Sequence, residues 1–68
     1  MTLLEVYKTE GVQGLVDRQQ AYTTYDVIKF IKGLSLTELH LLQHSDLYNM
    51  VRWYLTINDC INIKEGEK

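Results

Sequence analysis

Hydrophobic positions along the chain recur at helical spacing, and the longest run that stays in phase lies between Leu36 and Ile61. Leu36, Leu39, Leu47, Met50, Val51, Tyr54, Ile57 and Ile61 fall on one side at roughly 100° per residue. This spacing predicts a long helix over about 36–61, with earlier, shorter helices folding back on that side. His44-Ser45-Asp46 is its weak point, because Ser and Asp side chains compete for backbone hydrogen bonds. The segment is therefore one helix or two nearly collinear helices divided near Ser45, and the constant phase from Leu36 to Tyr54 favours continuity. Leu36, His40, Gln43, Leu47, Met50, Tyr54, Ile57 and Ile61 also follow a heptad a/d pattern, with His40 and Gln43 as polar interruptions that can set register. That stripe is expected to serve as core or as a dimer seam.

Three helix starts are marked by Ser or Thr followed three residues later by an acid: Thr2 with Glu5, Thr23 with Asp26, and Ser35 with Glu38. In such a capping box the hydroxyl accepts from a first-turn amide while the acid reaches back to the cap amide. A start at Thr2 is what a native terminus at Met1 would give. Gly11 and Gly14 each cost about 1 kcal/mol against alanine inside a helix, yet Val12, Leu15 and Val16 resume the spacing across them. Either the chain bends near Gly11 into a second short helix ending about Gln20, or the glycines let this segment approach the long helix closely. Tyr22-Thr23-Thr24 reads as a link, and the helix from Thr24 to Lys32 carries Val27, Ile28, Phe30 and Ile31 on more than one face. Lys29 and Lys32 sit near its negative end, where cations are favourable. Residues 62–68 read as a charged flexible tail. The expectation is an all-α bundle of three to four helices, one domain over 1–61, with a long C-terminal helix and completion by dimerisation.

Length strengthens the dimer expectation, since a 68-residue chain buries only about 60% of its unfolded surface on folding. With 46% hydrophobic and 24% charged residues the chain has enough apolar content for a core and too little charge for disorder. The formal net charge of −2 and the scatter of Arg18, Lys29, Lys32 and Arg52 among acids give no clustered phosphate-binding face. One cysteine, Cys60, excludes an internal disulfide and a multi-cysteine zinc site. No apolar stretch approaches a membrane span, and no basic region with an apolar run marks a secretory signal, so a cytoplasmic protein is expected. The scarcity of alanine beside abundant Ile, Asn, Lys and Tyr points to AT-rich codons, as in a low-GC bacterium or its phage.

Candidate chemistry is sparse. His40 and His44 stand at i and i+4, which is half of a metal site; Leu41 occupies the place where the metalloprotease pattern needs a glutamate, and no metal is expected. Cys60 near a helix C-terminus would have its thiol pKa raised, which favours packing over catalysis. No nucleophile elbow and no glycine-rich phosphate loop occur, so neither a catalytic residue nor a cofactor is expected.

Two binding readings remain. Thr24–Lys32, the turn Gly33-Leu34-Ser35 and the helix from Leu36 have a helix-turn-helix outline over 24–43, giving as the alternative a DNA-binding regulator that uses Lys29, Lys32 and the helix from Leu36. Against it, Leu36 to Gln43 contains one acid and no Lys or Arg to read bases. In a continuous helix Leu42 and Trp53 project on the side away from the main stripe, while Tyr48 and Leu55 flank its other edge; an unexplained Trp with aromatic neighbours is the signature of an interface hot spot, unless the other helices surround the long one and bury both sides as ordinary core. The expected function is a small protein-binding regulator or inhibitor, or else a structural subunit of a larger assembly. Its partner-binding residues would be Leu42, Tyr48 and Trp53.

Overall fold

The computed structural model describes residues 2–66. Four α-helices and two short 3-10 turns make up the chain, and no strand occurs among the described residues. They are α1 (Leu3–Arg18), α2 (Thr24–Lys32), α3 (Leu36–Gln43) and α4 (Val51–Gly66), with 3-10 turns at Gln19–Ala21 and Asp46–Asn49. All three capping boxes form: in each, the Ser or Thr oxygen accepts from the N3 amide while the N3 carboxylate accepts from the cap amide. Two orphan donors are satisfied at each start, which fixes where α1, α2 and α3 begin.

The bend in α1 lies at Gly11, whose φ of 70° and ψ of −160° are reached in practice only by glycine. Gly14 then packs into the angle of the bend. A Cβ built there would stand 2.4 Å from Glu10 Cβ and 3.1 Å from Val6 Cγ1. Gly11 thus turns the chain as one reading anticipated, whereas the close approach at Gly14 is to Val6 and Glu10 of α1 itself rather than to the long helix. Arg18 closes the bend from outside through a 2.7 Å ion pair with Glu10.

The segment expected as one long helix is instead a helical hairpin. The chain leaves α3 at His44, passes through extended backbone at Ser45 (φ −104°, ψ 168°) and a 3-10 turn, and starts α4 at Val51. Ser45 Oγ donates to the Leu42 carbonyl at 2.7 Å, the competition anticipated for this triplet. A continuous helix over 36–61 would be about 39 Å long at 1.5 Å per residue. The molecule's longest extent is 33 Å. The two helices are not collinear either, because contacts at both ends bring α3 back along α4. Gln43 Nε2 donates to Asn58 Oδ1 at 3.4 Å, and His40 Nε2 lies 3.6 Å from Glu65 Oε1. Tyr48 Oη, in the turn between them, also donates to Asn58 Oδ1 at 2.7 Å. The helix is moreover longer at its far end than expected. Residues 62–66, read as flexible tail, continue α4, while 67–68 lie outside the described residues.

One core fills the bundle, and every helix contributes to it: Leu3, Val6 and Leu15 from α1, Val27, Phe30 and Ile31 from α2, Leu39 and Leu42 from α3, and Trp53, Ile57, Cys60 and Ile61 from α4. Leu34 and Leu47 insert from the links. Three aromatic rings form a chain through it, Tyr7 to Phe30 at 5.6 Å and Phe30 to Trp53 at 6.3 Å between centroids, both edge to face. That is the favoured arrangement for rings whose edges are positive and faces negative.

Candidate functional site

The hairpin relocates the residues expected to bind a partner. Trp53 is fully buried and Leu42 is 1% exposed, so both belong to the core. Tyr48 is half-buried, with its hydroxyl on Asn58 and its ring 5.7 Å from that of Tyr54. The reason is geometric: a phase carried through Ser45 as if the helix were unbroken centres the stripe near Tyr54 and puts Trp53 about 100° to its side. Once α4 starts afresh, its inward stripe is Trp53, Ile57, Cys60 and Ile61, at i, i+4, i+7 and i+8. A reading of α4 alone would have found it.

The main stripe is divided by the same turn. Leu39, Leu47, Ile57 and Ile61 are buried, Leu36 and Met50 pack at the core's edge, Tyr54 is half-buried, and Val51 is 63% exposed. The stripe therefore does not run along one continuous 36–61 helix, and Leu39, Leu47, Ile57 and Ile61 face this chain's own core.

The titratable groups that stood out in the sequence are likewise placed. His40 and His44 are exposed on α3, and His40 Nδ1 lies 3.0 Å from Gln43 Oε1. Among the described residues no three His, Cys, Asp or Glu side chains come close enough to hold a metal ion. Cys60 is a free, buried thiol, and burial pushes its pKa above the ordinary thiol value, against the smaller pull of Lys32 and Lys64. A thiol so disposed is a packing residue.

What the molecule offers outside its core is a groove between the start of α1 and the outer face of α2. It encloses about 520 Å³ and is lined by Thr2, Leu3, Leu4, Tyr22, Asp26, Lys29, Phe30 and Gly33. Capping creates it: the Thr2 box fixes the first turn of α1, and the Thr23 box fixes that of α2, so Leu3 and Leu4 stand opposite the face carrying Asp26, Lys29 and Phe30. Leu3 and Phe30 are the buried floor, and Leu4, 45% exposed, is the apolar lip. Tyr25, next to Asp26, is 70% exposed. Asp26 is occupied within the wall, since its Oδ2 accepts from Thr23 N at 3.2 Å and Thr23 Oγ1 at 3.0 Å. Sequence reasoning missed this groove because its walls come from residues far apart in the chain, and Leu4 and Phe30 look like ordinary core positions.

Other exposed apolar side chains are Leu41 on α3 and Val51, Leu55 and Ile63 on α4. Val51 and Leu55 form an i, i+4 pair without an enclosing wall. No helix among the described residues is long and apolar enough to cross a membrane. Comparison with family models, with curated proteins and with solved structures finds no match for this chain.

Proposed function

We propose that the protein is a small protein-binding regulator that docks its partner in the groove between α1 and α2. The observation that carries this reading is the groove itself, an apolar-floored concavity of about 520 Å³ whose lip, Leu4, remains exposed after the core is complete. Grooves of this kind receive the apolar face of a partner helix, with a few side chains as anchors. Nothing among the described lining residues resembles a catalytic set: Asp26 serves a helix cap, and Lys29 is the other charged group among them.

The α2-turn-α3 outline keeps DNA binding as the rival reading. Its would-be recognition helix, α3, exposes Thr37, His40, Leu41 and the adjoining His44. That face offers no lysine or arginine to a phosphate, whereas DNA affinity derives chiefly from such contacts. The protein-binding reading is the better supported of the two.

The test is retrieval of a protein from the native host on immobilised chain, comparing wild type with Leu4→Arg and Leu41→Arg. The partner should be retained by wild type and by Leu41→Arg and lost by Leu4→Arg. Retention by Leu4→Arg at the wild-type level would contradict a site in this groove.

A further inference from the structure

Resting on that reading, we infer that the segment docked in the groove is an acidic amphipathic helix, with apolar side chains against Leu4 and Phe30 and carboxylates toward Lys29 and Lys32. The inference comes from how the chain uses its charges. Glu5, Asp26 and Glu38 are held in capping boxes. Glu10 pairs with Arg18, Glu65 lies against His40, and Asp17 accepts from Gln13 at 2.9 Å. Most of the acids are thus answered within the molecule. Three lysines are not: among the described residues Lys29 at the groove, and Lys32 and Lys64 at a second hollow, have no carboxylate within ion-pair distance.

Position turns these free cations into a pattern. Lys29 lines the groove, and Lys32 follows at i+3, a neighbour on the helix surface. Lys32 in turn borders a smaller hollow of about 290 Å³ that it shares with Cys60, the exposed Ile63 and Lys64. A cationic ridge therefore stands between two apolar depressions. A segment alternating apolar and acidic side chains complements both features, and a basic one would meet like charges on the ridge.

Two tryptophan-free synthetic helices with the same leucines at i, i+3, i+4 and i+7 test this, one carrying glutamates at its other positions and one carrying lysines. Trp53 is the only tryptophan in the chain and its ring contacts Phe30 on the groove floor, so its fluorescence reports occupancy. Amide chemical shifts then locate the bound peptide. The acidic peptide should bind more tightly than the basic one, with shifts at Leu4, Lys29, Phe30 and Gly33. Lys29→Glu with Lys32→Glu should weaken the acidic peptide by about tenfold, the scale of two solvent-exposed ion pairs, and should favour the basic peptide instead. Equal binding of both peptides in the groove would overturn the charge assignment while leaving the docking site standing. Binding of neither, or shifts centred on Val51 and Leu55, would remove the inference and the groove reading together. Tighter binding of random duplex DNA than of the acidic peptide, released by salt and lost in the same double variant, would assign the ridge to phosphate and overturn the inference.

Discussion

At the scale of single residues, Trp53 and the two glycines of α1 decide most. Trp53 packs edge to face on Phe30 in a fully buried position, but its Nε1 finds no hydrogen-bond partner among the described residues. An unanswered buried donor costs about 1–3 kcal/mol, so the ring is retained for its bulk. Trp53→Ala is accordingly expected to lose about 3–5 kcal/mol and, in so small a domain, to unfold much of the chain. Trp53→Phe removes the orphan donor along with part of the ring, and should be clearly the milder change. Urea titrations followed by circular dichroism measure both; an alanine variant with wild-type stability would place Trp53 outside the core. Gly11→Ala should cost about 1–3 kcal/mol, since its backbone lies where a Cβ is strongly disfavoured. An unchanged urea midpoint in that variant would mean the bend does not exist.

At the scale of elements, helix starts were legible in the sequence and the path between helices was not. A capping box is a local device, so Thr2-Glu5, Thr23-Asp26 and Ser35-Glu38 could be read directly, and each forms. Removing one hydroxyl, as in Ser35→Ala, should lower stability by about 1 kcal/mol, measured by the shift in thermal midpoint. The box at Thr2 adds a pH dependence. Hydrogen bonds from the Thr2 amide and hydroxyl hold the Glu5 carboxyl below its usual range. A depressed folded-state pKa contributes stability above the unfolded value that is lost as pH falls through the folded one. Glu5→Gln should therefore sit below wild type in thermal midpoint at neutral pH and converge with it in acid. A gap that persisted below the carboxylate range would show that the charge is not what the box uses. Periodicity, by contrast, cannot tell a straight helix from one that doubles back, because Leu36 and Leu39 face inward in a hairpin as readily as in a rod. Ser45 was recognisable as a weak point. The direction taken after it depends on Leu47 entering the core and Tyr48 reaching Asn58, which are contacts between distant positions. The groove was hidden for the same reason, its lip and floor being brought together from α1 and α2.

At the scale of the whole molecule, the hairpin is what gives one short chain both a core and a surface to use. Folding α3 back on α4 brings Trp53, Leu42 and Ile57 into one core, while Leu4 and Lys29 stand outward at the groove. The functional proposal stands on that rearrangement, since a continuous helix would return Trp53 to the surface and make it the binding residue. The most direct measurement is the separation of spin labels attached at His40→Cys and Glu65→Cys, with Cys60→Ser to remove the native thiol. Packed antiparallel helices lie about 8–10 Å apart, so the label distance should be short, of the order of 20 Å or less once the label arms are included. A distance near 38 Å, the length of about 25 residues of unbroken helix, would contradict the hairpin and with it the groove as the site of function.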